Sequence, residues 1–320
     1  MSVLIAGGLG HVGSWVAYEL AKKGKKVIIA DVTADQFDHL GLDYLQEVRE
    51  NLILENVDIL DFHTLVEVVS KYRDEIEGAI HGVAVIAGPS FQKRPFRNIS
   101  INTVGALNML EVCRILGIKK FVNMSSGAVY GDAPGGQTED TPYKATDLYC
   151  ATKISNELFA LQYGATYGLD VRNARLYFVY GPGKLPSRMH LLYQAMFGGL
   201  EGLYGIQSPN GGDQSLDWTH VRDSAQGIVK LFEKEGMQGQ SFNISSGVAV
   251  PHQQIVDLVQ SFLGKETHMT LGPGSFVMRG TPLDISKARR ELDFTPQFTD
   301  IRDGIADYYE WLQKAAAVSR

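Results

Sequence analysis

Gly7-Gly8-Leu9-Gly10-His11-Val12-Gly13 stands between a short apolar run, residues 3–6, and an amphipathic stretch, residues 11–23. Gly7, Gly10 and Gly13 have the spacing G-x-x-G-x-x-G. In a strand–turn–helix unit, one such glycine permits the sharp turn, one lets an anion approach bare backbone, and one lets helix and strand touch closely. The first N–H groups of the helix then face the anion at the positive end of the helix dipole. A glycine-rich turn without a ligand is the alternative. The position of the loop, at the very start of a βαβ pattern, is what the phosphate-binding arrangement requires. The loop is therefore expected to bind a nucleotide phosphate.

The alternation continues down the chain. Apolar runs at 26–31, 52–57, 78–84, 120–124 and 169–176 read as buried strands. Between them, 62–71, 102–116 and 147–167 read as helices, the last two closed by Gly117 and Gly168. Continuous apolar strands separated by helices predict an α/β fold, a doubly wound parallel sheet covered on both faces. The rhythm changes at residue 181. Residues 181–216 are rich in Gly and Pro, and strand-like 241–244 and helical 253–263 and 298–313 follow. The expected division is a nucleotide-binding domain over 1–180, with 217–245 returning to it, and a smaller substrate-binding lobe from 181–216 and 246–320.

Charge and cysteine usage narrow the partners. Thirty basic against 36 acidic residues leave −6, a poor balance for gripping a nucleic-acid backbone, so no nucleic acid is expected. Cys113 and Cys150, the two cysteines, cannot build a disulfide framework, and neither has metal-ligand spacing. This points to a reducing compartment and to no metal. The first residues carry no basic leader, and no uninterrupted apolar run reaches the ~18 residues of a membrane helix. A cytoplasmic protein without a membrane partner is the expectation.

Three further features carry chemistry. Asp31 ends the second strand, 18 residues beyond Gly13. A carboxylate there can accept both hydroxyls of an adenosine ribose and repel a 2′-phosphate, favouring NAD over NADP; a solvated strand-end aspartate is the alternative. Asp58 is placed to receive the adenine edge, with Ile59 against the ring. Tyr149 and Lys153 stand at i and i+4, on one helix face. An ammonium beside a phenol favours the phenolate and makes Tyr149 usable as a general acid/base near neutral pH. Taken alone, Tyr-x-x-x-Lys is a common pattern on helix surfaces. Ser126 ends the fifth strand, at the sheet edge where ligands sit in such folds, and its hydroxyl can meet a substrate oxygen.

Taken in order, these landmarks resemble the extended short-chain dehydrogenase/reductases, the NAD-dependent epimerase/dehydratase family. The resemblance spans nearly the whole chain. It runs through the glycine loop, Asp31, Asp58-Ile59, His81-Gly82-Val83-Ala84, Asn102-Thr103-Val104-Gly105, Ser126 four residues before Tyr130, Tyr149 with Lys153, and Arg175 through Tyr180-Gly181-Pro182-Gly183. It implies a Rossmann-type domain binding NAD through Gly7, Gly10, His11, Val12, Gly13, Asp31, Asp58, Ile59, Val83, Ala84, Tyr149 and Lys153. It implies Tyr149 as acid/base, Ser126 as partner of the substrate oxygen, Lys153 on the nicotinamide ribose, and Asn102 in support.

The departures bear on substrate. Members acting on nucleotide sugars typically carry an asparagine where this chain has Phe178, and commonly an arginine where it has Leu216. Arg279, five residues before Asp284, matches a substrate- or phosphate-binding arginine; a surface arginine is the alternative. The Asp-Glu pair of the dehydratase branch is replaced by Gly127-Ala128, so sugar dehydration is not expected. What remains is hydride transfer at a secondary alcohol of a sugar or sugar-like substrate, by a dehydrogenase, or alternatively by a UDP-hexose type 4-epimerase. Lys93 and Arg94 could meet a carboxylate or be solvated, and His81 and His220 read as structural. Finally, helices 102–116 and 149–167 are apolar over far more than the ~100° arc needed to cover one sheet face. A homodimer through these helices is expected, as the resemblance implies. Cover by the C-terminal helix of the same chain is the alternative.

Overall fold

The computed structural model describes residues 1–86, 89–133, 136–183, 207–208, 210–263, 270–275 and 281–318. Strands β1 (Ser2–Ala6), β2 (Lys26–Asp31), β3 (Leu52–Asn56), β4 (Ile76–His81), β5 (Lys120–Ser126) and β6 (Asp170–Leu176) follow the expected alternation. With Gln240–Ile244, which is β11 in chain order, they form one seven-stranded sheet in the order β11-β6-β5-β4-β1-β2-β3. Every pair in it is parallel. Period-two alternation decides which side each residue buries. Val3 and Ile5 enter one hydrophobic cluster, whereas Leu4 and Ala6 enter the other. Both faces are apolar, so both need helices over them.

Helix α1 (His11–Lys22) covers the first face, α2 (Phe62–Ser70) the second. Short α3 (Pro89–Lys93) and α4 (Pro95–Ile99) lead through a wide π-type turn, Ser100–Val104, into α5 (Gly105–Leu116). The helix expected from residue 102 thus belongs to a helical run that begins at Pro95. That run, Pro95–Leu116, is long and apolar enough to cross a membrane by length and composition alone. In the fold its face of Met109, Leu110, Val112 and Cys113 is buried in the second cluster beneath the sheet. Helix α6 (Leu148–Tyr167) lies beside it on the same face. Helix α7 (Val221–Glu233) returns to the first face against α1.

The third cluster lies apart from the sheet. Helices α8 (His252–Leu263) and α10 (Ile301–Val318) bury Ile255, Val256, Val259, Ile301, Ile305 and Tyr308 with Leu216, Trp218 and Tyr180. Short strands frame it: β7 (Val179–Tyr180) pairs with β10 (Thr219–His220), β9 (Ser215–Asp217) with β12 (Ala249–Pro251), and β8 (Gln207–Ser208) with β13 (Thr270–Leu271). Helix α9 (Ser286–Leu292) does something else. Its Ala288 and Leu292, with Ile285 and Phe294, join the first sheet cluster beside Phe242 and Ile244 of β11. The chain reverses its direction of travel across the sheet between β1 and β4, and that switch point opens a crevice at the strand C-termini.

Candidate active site

The glycine loop sits on the crevice. Gly7 has φ +76°, and a Cβ there would stand 2.9 Å from the Val83 nitrogen. A Cβ on Gly13 would stand 2.1 Å from the Gly7 carbonyl oxygen, so the loop closes on α1 only with glycine at that position. Gly10 is the N-cap of α1 and brings no side chain, which leaves the helix N-terminus bare toward the crevice. Asp31, at the end of β2, accepts from the Leu9 backbone N–H at 3.1 Å and from the Thr33 N–H and hydroxyl at 3.0 and 2.7 Å. The crevice runs on between Val57, Ile59 and Leu65 on one side and Gly82, Val83 and Ala84 on the other. A bare helix N-terminus, a carboxylate at the end of β2 and an apolar slot lie in the order that suits an adenine dinucleotide.

Not every expected residue faces the crevice in the same way. Asp58 lies between two lining residues but is exposed, and one of its oxygens accepts the Leu60 N–H at 2.9 Å. His11 turns its Nε2 to the Gly181 carbonyl at 3.0 Å, tying the loop to the end of β7. Val12 packs on the first sheet cluster.

The second half of the site is built by β5 and α6. Asp147 caps α6 by accepting the Cys150 N–H at 2.7 Å, which sets Tyr149 in the first turn. Tyr149 is partly exposed, and the ring of Phe91 meets it edge-on at 6.3 Å. One turn later Lys153 is buried, 3% exposed. Its ammonium lies 5.9 Å from the Tyr149 ring centre and donates to the Met124 carbonyl at 2.7 Å. Burial pulls its pKa down to about 8, with the charge of Glu157 working in the opposite direction. Ser126, two residues beyond Met124, is partly exposed; its Oγ accepts the Ala128 N–H at 3.1 Å. Asn102 is buried in the wide turn before α5. Its amide exchanges hydrogen bonds with Val85 N–H and C=O at 2.7 and 3.0 Å and donates to Thr152 Oγ1 at 3.1 Å. It thus locks the segment after β4 to α6, one residue before Lys153.

The substrate-side residues differ in kind. Phe178 has φ +33°, a conformation that suits glycine or asparagine better than an aromatic residue. Its ring packs on Tyr177 at 4.5 Å and Trp218 at 5.9 Å, joining two hydrophobic clusters. Leu216 is 1% exposed and belongs to the third cluster. Arg279 lies outside the described residues. Lys93 and Arg94 are exposed.

One group at the site, Glu157, went unread in the sequence, and a second, His81, was read only as structural. Glu157 is fully buried and paired with Arg175, Nη2 to Oε2 at 2.8 Å. Its spacing, four residues after Lys153, was the available signal. His81, read as a core residue, is fully buried with no hydrogen-bond partner among the described residues on either ring nitrogen, and burial together with the Lys153 charge pushes its pKa down to about 3.

Comparison with known proteins agrees with this geometry. The chain is 29% identical to Protein CapI of Staphylococcus aureus over 97% of this chain and 98% of that protein. It is 29% identical to a UDP-glucuronate 4-epimerase of Thermodesulfobacterium geofontis, covering 96% and 95%. The crystal structure of a Thermotoga maritima UDP-glucose 4-epimerase with UDP-glucose superposes with a TM-score of 0.86 at 25% identity, covering 99% of this chain and 100% of that one. The family model of the NAD dependent epimerase/dehydratase family matches residues 3–245. A single ordered match from the glycine loop to β11 leaves one conclusion: the chain belongs to the NAD dependent epimerase/dehydratase family.

Proposed function

We propose that the protein is an NAD-dependent oxidoreductase acting at a secondary alcohol or ketone of a sugar or sugar-like substrate, with Tyr149 as acid/base. The observation that carries this reading is buried Lys153, one helical turn from Tyr149 with its ammonium 5.9 Å from that ring centre and bonded to the Met124 carbonyl, two residues before Ser126. When bound, the nicotinamide supplies the hydride acceptor and donor. In the oxidative direction the Tyr149 phenolate takes the proton from the substrate hydroxyl. Lys153 favours that phenolate by its positive charge and stands where it can meet the nicotinamide ribose. The Ser126 hydroxyl donates to the substrate oxygen, where charge develops. Gly7, Gly10 and Gly13 admit the pyrophosphate, and Asp31 takes the adenosine ribose.

A second reading, a nucleotide-sugar 4-epimerase, is favoured by what the relatives are called. Leu216 and Phe178 weigh against it, because a buried leucine and a phenylalanine offer no charge-assisted contact to a diphosphate. A panel of free sugars, sugar acids and UDP-sugars, followed by NADH absorbance and by NMR of the product sugar, tests both. Net NADH formation supports the dehydrogenase, and conversion at C4 without NADH release supports the epimerase. Neither result on any member of the panel would defeat the family-level assignment of activity. UDP and UDP-glucose are expected to bind with Kd of roughly 100 μM or weaker, and submicromolar calorimetric binding would favour the epimerase.

The same reading includes a homodimer through residues 102–116 and 149–167. Ile115, Leu158, Phe159 and Tyr167 are 43%, 48%, 41% and 49% exposed. The C-terminal helix buries Ile305, Tyr308 and Leu312 in the third cluster, away from this face. A cytoplasmic location is supported by the buried side chains of Cys113 and Cys150, neither of which is in a disulfide.

A further inference from the structure

The hydrogen bonds that hold α6 on the sheet converge on a group with no part in the chemistry above. The Glu157 carboxylate is fully buried. It accepts from the Ser125 hydroxyl, from Arg175 Nε and Nη2 at 3.0 and 2.8 Å, and from the Tyr143 hydroxyl at 2.8 Å. Tyr149, Lys153 and Glu157 follow one another at intervals of four and share one face of α6. The Met124 carbonyl takes the Lys153 ammonium, and the next residue of β5, Ser125, binds Glu157. Two consecutive residues of β5 are therefore fastened to two consecutive turns of α6. The third, Ser126, is bound to neither turn and ends the strand partly exposed.

We propose that Glu157 is a positioning residue for this reaction: it fixes the register of α6 on β5, and with it the reach from Tyr149 to Ser126, and it supplies the counter-charge that keeps Lys153 an ammonium ion. The inference rests on the Tyr149–Lys153–Ser126 reading. The groups facing the pair come from several elements. On β4, His81 is held neutral by burial and by the Lys153 charge. Arg175 reaches Glu157 from β6, Tyr143 from the loop before α6, and Ser241 from β11 at 3.4 Å. Burial alone favours neutral Lys153, and the negative charge of Glu157 opposes it. Glu157→Gln removes that charge and leaves the Arg175 guanidinium in place, so both changes drive the proton off Lys153.

The test follows the lysine itself, by NMR of protein carrying ¹³C at lysine Cε, with NAD present and Lys153→Met to assign the resonance. In Glu157→Gln the Lys153 midpoint is expected to fall by about one pH unit or more. The alkaline limb of kcat/KM should move down with it. Glu157→Asp should restore most of the shift. An unchanged midpoint in folded Glu157→Gln overturns the proposal, as does a rate lowered equally at every pH. Should Glu157→Gln fail to fold, Tyr143→Phe decides. It removes a donor from the carboxylate but not its charge, and the midpoint must then rise; no movement overturns the proposal. The midpoint is read without turnover, so it stands apart from the mechanism. Wild-type-like activity in Tyr149→Phe would sink the acid/base reading and leave this measurement intact.

Discussion

Asp31 binds the Leu9 N–H with one carboxylate oxygen and the Thr33 turn with the other, so the residue expected to select the cofactor also ties the glycine loop to β2. Asp31→Ala should therefore weaken NAD binding by roughly ten- to a hundredfold, the worth of a charge-assisted hydrogen bond. It should also narrow the preference over NADP, which parallel fluorescence titrations would show; tighter NADP binding in the wild type would contradict the assignment. Tyr149→Phe keeps the ring against Phe91 but loses the transferable proton. Turnover should drop by about 10²–10⁴ with NAD affinity little changed. His81 makes a different prediction. Its folded pKa, about 3, lies below the ordinary 6.5, so between these values the unfolded chain binds a proton that the folded one does not. Stability is thus present above pH 6.5 and lost as pH falls, by about 1.4 kcal/mol per pH unit. Urea unfolding at pH 6.5 and 5 should differ by about 2 kcal/mol more in the wild type than in His81→Leu. Equal slopes in the two proteins would refute it.

At the scale of elements, the long amphipathic helices and apolar strands were legible because burial imposes a period on them. The strands at 26–31 and 120–124 and the helix at 62–71 appear within two residues of expectation. Three things were not legible. The 3-10 stretches Ala34–His39 and Asp43–Asn51 have no long apolar period. Helix α9 is only two turns, and its tertiary place beneath β11 cannot be read from its composition. The site's Glu157–Arg175 pair joins residues 18 apart on different elements, and only the fold brings them together. The apolar surplus of α5 and α6 was legible as an amount, but not residue by residue. Leu110, on the apolar arc, is 1% exposed and belongs to the core. Phe159, at 41%, is on the open face. Phe159→Glu should convert a dimer near 70 kDa, about twice the 35.2 kDa chain, to monomer by light scattering with its melting temperature little changed. A wild-type mass near 35 kDa at micromolar concentration would remove the dimer altogether.

Across the whole molecule, the order of the strands in the sheet is not their order of synthesis. The outer edge of β6 is covered by β11, and the apolar face of α1 by α7, both drawn from beyond residue 220. Phe294 then closes the same cluster from beyond α9. While the ribosome is still making the intervening segment, the nascent sheet has an unpaired edge and a naked helix face, two surfaces that invite association with other chains. A fragment of residues 1–180 should consequently be insoluble or molten, showing dispersed amide signals only when the remainder is supplied in the same chain. The molecule is divided in space but not in time: its earliest residues must wait for residues 221–294 before their edge is paired and their helix face covered.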